Sequence, residues 1–532
     1  MKPRLLPFLV ASLFLLPGAA LSHDADEPGK GKLGTVNFPT SCDPKVQPGF
    51  ERAVAMLHSF WFNAAENAFE KVLAQDPSCS IAAWGYAAIL MDNPLGGLGA
   101  SPDNARKAQA ALEKAKKAGA TTERERDYID AVAAYYENFE NRPERDRQIS
   151  RSKAFEALAA KYPNDDEAQI FNALYISGTQ SQADQTYAAY LRAAAILEEQ
   201  FKKHPHHPGV AHYLIHSYDA PPIAGKGLDA ARRYADIAPD APHALHMPSH
   251  IFTRVGSWEE SIATNLRAAS VARAADQPDQ SYHSCDYAVY AYLQLGRDED
   301  ARRTMDDALK VKESNMRKFA SAYAMAAMPA RYALERGDWQ AAMRLQPVES
   351  PFVHVGAITH FARALGAVRS GDITTAQAEE ASLAADHKAL EDAKNRYWAT
   401  EVEIQRLAIA GWIAHKQSKA EEGLKLMRAA ADLEDRNEKH IVTPGRIVPA
   451  RELLGEMLLE QKQPALALKE FETSQIREPN RFRNFYGSAM AAEAMGDRAK
   501  AAWYYDRLVK LAAKSDANRP ELVRAKMVLG AR

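Results

Sequence analysis

Small, aromatic and proline residues return along this chain at a spacing that fits a period of about 34 residues. An Ala-x3-Phe-x7-Pro pattern occurs near both ends of the chain, at Ala65, Phe69 and Pro77 and again at Ala467, Phe471 and Pro479. Between such marks the sequence consists of alanine-rich amphipathic stretches and short Gly-Asp, Gly-Arg or Asp-Pro turns, without sustained strand-like alternation. Small residues let paired helices approach closely, the aromatic ring fills the space between pairs, and proline ends a helix. The period therefore predicts an all-α fold that grows by stacking antiparallel helix pairs.

This skeleton resembles the tetratricopeptide repeat (TPR), with its Leu-Gly…Ala-x3-Phe…Pro pattern. The resemblance covers nearly the whole chain and implies a right-handed superhelical solenoid over residues 48–532, preceded by an N-terminal extension over residues 21–47. The repeat marks are weakest around residues 93–150 and 345–400, where we expect irregular insertions. The first of these segments begins with a Gly- and Pro-rich stretch, Asn93 to Pro102, which is typical of a loop.

The composition is that of a folded chain and argues against one class of partner. Of the 532 residues, 46% are apolar and 26% are charged, so the chain can bury a large core. Lys and Arg together number 67 against 69 Asp and Glu, and no long basic run interrupts this balance. We therefore expect no nucleic-acid partner, because such binding requires a basic surface.

The N-terminus has the three parts of a secretory signal peptide. Lys2 and Arg4 precede an apolar run from Leu5 to Leu16, and small residues follow up to Ala20, which predicts a signal peptide over residues 1–20. The run is shorter than the roughly 20 apolar residues that a membrane-spanning helix needs, and no second candidate follows. We expect a periplasmic or secreted protein without stable membrane insertion.

The expected export of the protein also affects its three cysteines. In an oxidising compartment a pair of cysteines normally forms a disulfide. Cys42 and Cys79 both lie in the N-terminal region beside proline-containing turns, so we predict that they are bonded and that Cys285 is free.

Histidines crowd into one part of the chain, and their helical phase matters more than their number. The TPR resemblance implies that positions 2, 5, 9 and 12 of the first helix of each repeat face the concave groove. Three consecutive repeats then place nine residues there: His212, His216 and Asp219; His243, His246 and His250; and His283, Asp286 and Tyr290.

Four of these histidines are the predicted metal ligands. His212 and His216 occupy the same helical phase as His246 and His250 of the next repeat, and adjacent helices lie roughly 8–10 Å apart, so opposing imidazoles could share an ion. Imidazole donors favour Zn or Cu over Fe or Mn. We assign the other groove residues as further ligands, as groups that orient the imidazoles, or as a base and a proton donor: Asp219, His243, His283, Asp286 and Tyr290.

The chain contains an internal control for this assignment. The segment from Ala327 to Trp339 repeats the proline, glycine and tryptophan positions of the segment from His246 to Trp258, yet it carries alanine and arginine in place of the histidines. The scaffold therefore forms without histidine at these positions, and Pro248 is interpreted as a shared structural kink.

Other histidines have simpler interpretations. We expect a solvent-facing loop for His204, His206 and His207, and ordinary hydrogen-bonded positions for His354, His360, His387, His415 and His440. His58 is several repeats away and is a weak candidate for the site. Arg254 lacks the groove register and is left out.

The segments 242–252 and 443–455 also resemble a signature of exported bacterial TPR proteins, which implies the fold and supplies no activity. Three functions stay open. The first is a solenoid that binds a small ligand in its concave groove through the His/Asp cluster, together with a divalent transition metal. The second is a protein- or peptide-binding scaffold without metal. The third is a metal-dependent enzyme, although no motif of the HExxH type identifies catalytic residues.

Overall fold

The observed helices begin at Gln47 and end at Gly530, in the region where the repeat pattern predicts them. The computed structural model describes residues 31–311 and 316–530, so the predicted signal peptide lies outside the described residues. Within the described ranges the regular secondary structure is helical and contains no β-strand. The predicted all-α class is confirmed.

The helices follow one another with short connections. In the N-terminal part they are α1 (Gln47–His58), α2 (Phe62–Gln75), α3 (Ile81–Leu90), α4 (Pro102–Ala118), α5 (Glu123–Tyr136), α6 (Glu144–Lys161), α7 (Asp166–Ser177), α8 (Ala188–Lys203), α9 (Pro208–Ser217) and α10 (Leu228–Ile237). In the middle they are α11 (Pro242–His246), α12 (Pro248–Arg254), α13 (Trp258–Ala274), α14 (Pro278–Gln294), α15 (Asp298–Leu309), α16 (Phe319–Glu335), α17 (Trp339–Met343) and α18 (Val353–Ser370). The C-terminal part contains α19 (Ile373–Asp392), α20 (Arg396–Lys416), α21 (Ala420–Asp435), α22 (Ala450–Glu460), α23 (Pro464–Arg477), α24 (Phe482–Ala494), α25 (Arg498–Leu511) and α26 (Pro520–Gly530).

The repeat residues do the packing that the sequence pattern predicts. The ring of Phe471 lies against Gly455 on one side and Gly487 on the other, so that a Cβ at either glycine would collide with it. Phe69 lies against Gly85 in the same way. Each aromatic residue thus joins helices from successive pairs, and the paired helices can approach closely only because glycine faces the ring. The stack of antiparallel helix pairs is a TPR-like solenoid.

The two segments with weak repeat marks are more regular than predicted. After a loop over residues 93–101, the first forms α4, α5 and the start of α6, and α4 begins with Ser101 accepting a hydrogen bond from the Asn104 N–H. The second forms α18, α19 and the start of α20. This differs from the irregular insertions predicted, because amphipathic helices can continue the stack without the Gly and Phe marks of the consensus.

The C-terminal helices contact the middle part of the chain. The indole N–H of Trp258 donates to the Asn480 carbonyl at 2.7 Å, and the Ser515 hydroxyl donates to the Gly296 carbonyl at 2.7 Å. Arg519 forms a buried ion pair with Asp298. These contacts join the C-terminal helices to the turns before α13 and after α14.

Residues 436–449, between α21 and α22, form a segment that we call the crossing segment. The Glu438 N–H donates to the Gln182 carbonyl at 3.0 Å, and the Tyr287 hydroxyl donates to the Thr443 carbonyl at 3.1 Å. The crossing segment therefore contacts α14, which carries His283, and the loop between α7 and α8.

Two further predictions concern the N-terminal region and the membrane. Cys42 and Cys79 are paired as a disulfide, while Cys285 is buried and free. None of the described helices combines the length and the apolar composition that crossing a bilayer requires.

Candidate metal centre

The histidines lie on α9, α11, α12 and α14, in the middle part of the chain. Pro248 has no backbone N–H, and the helix that carries His243, His246 and His250 is interrupted here into α11 and α12. The equivalent Pro329 lies within α16. Met247, between α11 and α12, keeps helical backbone angles, so the two segments follow one another as one helix, and the shared kink stays a prediction. All three histidine side chains are buried.

A first triad consists of His212, His216 and His243, which come from α9 and α11. The Nε2 atoms of His212 and His216 lie 3.1 Å apart, and the rings of His212 and His243 are 5.1 Å apart. One ring nitrogen from each of the three lies within 4.8 Å of the others. A metal with tetrahedral bonds of 2.0–2.1 Å would separate its ligand nitrogens by about 3.3 Å, so the spacing suits a shared ion.

A second triad consists of His246, His250 and His283, from α11, α12 and α14. Its ligand nitrogens also lie within 4.8 Å of one another. The Nε2 atoms of His246 and His250 are 3.1 Å apart, and the ring of His283 lies 4.2 Å from that of His246.

The two triads are neighbours. The rings of His216 and His250 are 5.6 Å apart, and those of His243 and His246 are 6.0 Å apart. We call the six residues the histidine core. The structure thus brings together the four predicted metal ligands, although His212 has His243 rather than His246 as its close neighbour. His243 and His283, predicted as other groove residues, belong to the triads as well.

Hydrogen bonds determine which nitrogens of the second triad carry hydrogen. The Nδ1–H of His246 donates to Asn265 Oδ1 at 2.7 Å, and the amide orientation of Asn265 is set by its Nδ2 donating to the Ser261 carbonyl. The Nδ1–H of His250 donates to a carboxylate oxygen of Asp219 at 2.9 Å. In the neutral rings both Nε2 atoms are then bare acceptors, and they face each other at 3.1 Å.

Two buried acceptors in contact are unfavourable unless a cation lies between them. The Tyr287 hydroxyl is 3.4 Å from His250 Nε2 but donates to the closer Thr443 carbonyl. A proton on either ring is opposed by burial, which together with the neighbouring histidines holds the pKa of His246 well below its usual range. Burial also lowers the pKa of His250, against the opposing effect of Asp219. Neutral imidazoles whose Nδ1–H groups are held by outer acceptors are oriented as metal-ligating histidines usually are, so the two Nε2 atoms could bind a metal ion.

The first triad has a similar outer contact and unused nitrogens. The Nδ1–H of His212 donates to the backbone carbonyl of His58 at 2.6 Å, which leaves its Nε2 as an acceptor. Among the described residues, Nδ1 of His216 and both ring nitrogens of His243 have no hydrogen-bond partner. Burial, together with His250, lowers the pKa of His243 to about 3. These rings are therefore neutral and able to ligate.

In a third cluster, formed by His58, His207 and Glu167, every ring nitrogen has a hydrogen-bond partner. Glu167 accepts from Nε2–H of both His58 and His207 at 2.9 Å. The remaining Nδ1 atoms accept from the Tyr213 hydroxyl and the Val210 N–H, so every ring nitrogen has a partner of the correct kind. This cluster is complete without an ion. It also corrects the prediction that His207 faces solvent, because His207 is buried, whereas His204 and His206 are partly or fully exposed.

Asp219 is the centre of a buried charge network that sequence reasoning described incompletely. Besides His250, its carboxylate receives Arg254 Nε at 2.8 Å and Lys439 Nζ at 3.3 Å. Burial lowers the pKa of Lys439 to about 8. Asp219 therefore orients His250 and is neutralised by two cations. The TPR register does not predict a place for Arg254 in the groove, and Lys439 lies on the crossing segment, more than 200 residues away along the chain.

The structure places Asp286 and Tyr290 in other networks. Asp286 forms a buried ion pair with Arg331, the residue that stands in the position of His250 in the internal control. The Tyr290 hydroxyl accepts from Arg481 at 2.6 Å, and Arg481 is held in turn by buried Glu452. Neither residue has a hydrogen bond to the histidine core, so their predicted place at the ligand site is not supported by these contacts.

Comparisons with known proteins concern the fold alone. No protein-family model matches the chain, and no curated protein matches it. Similar solved structures include the APC/C hetero-tetramer Cut9–Hcn1, at 11% identity and a TM-score of 0.30 over 90% of this chain and 94% of that chain. A tetratricopeptide repeat protein from Parabacteroides merdae is 13% identical, with a TM-score of 0.30 over 54% of this chain and 97% of that one. The human IFIT1 dimer with m7Gppp-AAAA is 13% identical, with a TM-score of 0.39 over 82% and 90%.

Proposed function

We propose that this TPR-like solenoid is a metal protein whose histidine core holds two transition-metal ions, one in each triad. The observation that carries the proposal is the pair of bare Nε2 atoms of His246 and His250, which face each other in a buried site. Three of the ligands have their Nδ1–H held by outer acceptors, which is the usual arrangement of metal-bound histidine. Such a core of neutral imidazoles, without thiolate or carboxylate ligands, favours Zn or Cu over Fe or Mn.

The proposed setting is the periplasm or the outside of the cell. The Cys42–Cys79 disulfide supports this location, because disulfides persist in oxidising compartments. The signal-like sequence of residues 1–20 supports it as well.

The second candidate is a protein-binding scaffold, a role for which a helical solenoid is suited. The crossing segment already occupies the surface beside the histidines, so a peptide partner would bind elsewhere on the solenoid. The hydrogen bonds of the histidine core favour metal over a peptide. A peptide-binding surface would not require the Nε2 atoms of His246 and His250 to face each other as acceptors.

The proposal is tested by the metal content of tag-free protein purified without chelator. We expect close to two equivalents of Zn or Cu per chain, and none in a variant that combines His246→Ala with His212→Ala. The matched control is His207→Ala, which removes a buried, hydrogen-bonded histidine from the complete cluster and should leave the metal content unchanged. Equal metal loss in the control and the core variant would contradict the proposal.

A further inference from the structure

The side chain of Tyr287, on α14, lies against all three histidines of the second triad. Its ring centroid is 4.7 Å from that of His246, 5.2 Å from that of His250 and 5.3 Å from that of His283. The side chain is fully buried. The phenol oxygen of Tyr287 is therefore enclosed together with the nitrogens that we assign as ligands.

The position of this oxygen relative to the imidazole nitrogens is that of a further ligand. It lies 3.4 Å from Nε2 of His250, which itself lies 3.1 Å from Nε2 of His246. A tetrahedral ion with bonds of about 2.0–2.1 Å keeps its ligand atoms roughly 3.3 Å apart. Because the Tyr287 hydroxyl donates its hydrogen to the Thr443 carbonyl at 3.1 Å, its oxygen is a third acceptor beside the two Nε2 atoms.

Packing alone does not require a tyrosine at this position. Met247 and Met328 stand at the corresponding positions of the preceding and the following repeat, at the same distance in sequence before the glycine of the turn. Both methionines are fully buried, as Tyr287 is. The scaffold therefore accommodates an apolar side chain here, and the hydroxyl group belongs to the repeat that carries His283.

An anionic oxygen ligand would also reduce the charge that a metal brings into the histidine core. Three neutral imidazoles leave a divalent ion with its full charge, and a buried charge is costly unless it is paired. The carboxylate of Asp219 is already shared by Arg254 and Lys439, so it offsets little of this charge. A phenolate bound to the ion would cancel one of its two charges directly.

We infer that Tyr287 is the fourth ligand of the second triad and binds its metal as a phenolate. This inference rests on the proposed function and adds a residue to the same site. When the ion binds, a bond forms between the metal and the phenol oxygen, the O–H bond breaks, and the proton passes to solvent. Four protein ligands are typical of structural metal sites, in which no position stays open to a further ligand.

The test uses the full chain loaded with Cu²⁺, because a phenolate bound to Cu²⁺ gives a visible charge-transfer band that imidazole alone does not give. Copper titration of the wild type should produce this band, with an intensity that corresponds to one phenolate per chain. Tyr287→Phe should lose the band and still bind copper at both triads. Its affinity for one of the two ions should fall by at least about 10-fold, since losing a direct ligand costs no less than losing an outer contact.

The matched control is Tyr282→Phe. Tyr282 is buried on the same helix, and its hydroxyl also donates to a backbone carbonyl, that of Val311. This variant should keep the band and both copper affinities. A band that persists in Tyr287→Phe, or a wild type that binds two copper ions without such a band, would overturn the ligand role of Tyr287 while the metal centre stands. Failure of copper to bind would overturn the metal centre and this inference together.

Discussion

Comparing His246→Ala with His207→Ala tests whether His246 is a metal ligand or a structural histidine. Both side chains are buried, and both donate a ring N–H to a side-chain oxygen. In His207→Ala, the buried carboxylate of Glu167 loses one of its two donors, which costs about 3 kcal/mol or more, because an unsatisfied charged group costs more than a neutral one. In His246→Ala, the neutral Asn265 loses one hydrogen bond, which costs on the order of 1–3 kcal/mol with its desolvation.

Bound metal should reverse the order of the stability losses in the two variants. A metal that binds only the folded chain adds about 4.1 kcal/mol of stability when its free concentration is 1,000 times its Kd. Wild type and His207→Ala should both gain this amount at each of the two triads, whereas His246→Ala should lose most of the gain at the second triad. His246→Ala is then the milder of the two changes in metal-free protein and the more severe one in metal-saturated protein.

The assay is denaturant unfolding of the three proteins, each after chelator treatment and after loading with Zn²⁺. The informative quantity is the difference between the two conditions, since loss of packing cancels within each protein. If zinc stabilised His246→Ala as much as wild type, or if zinc stabilised neither of them, the ligand role of His246 would be refuted.

Three further predictions follow from other parts of the molecule. Asn265→Ala should lower metal affinity by about 10- to 100-fold at unchanged stoichiometry, as judged by competition with a chromophoric chelator. Thiol titration of unreduced protein should find one thiol, Cys285, and only after denaturation, because burial raises its pKa to about 11; two additional thiols without reductant would refute the Cys42–Cys79 bond. Burial raises the pKa of Glu434 to about 8, so its contribution to stability is lost as pH rises from about 4.5 through 8. Glu434→Gln should therefore become more stable relative to wild type over that range, and a constant difference in unfolding free energy would contradict this.

The helical solenoid and part of the core could be predicted because they follow from local register. Phe471 and its glycine neighbours repeat at a fixed interval, and the same register places His212 and His216 beside the next repeat. The pairing inside the core was harder to predict, because His212 lies against His243 and not against His246, the residue at the same helical phase.

The residues that surround the histidine core could not be predicted from the register of the repeats. Lys439 reaches Asp219 across 220 residues, and no period connects the crossing segment to α9 and α12. His58 and His207 are both buried and both donate to Glu167, which is a contact between α1, α7 and the turn before α9. Contacts of this kind depend on how far the solenoid curves, which the residue pattern of a single repeat does not determine.

X-ray absorption at the edge of the bound metal tests the central claim most directly. For tag-free protein we expect a first shell of nitrogen at about 2.0–2.1 Å, with the outer-shell scattering of imidazole and no sulfur. Metal analysis of the same sample should give close to two ions per chain. A first shell of oxygen or sulfur without imidazole, or a sample that holds no metal after loading and dialysis, would contradict a metal centre in the histidine core.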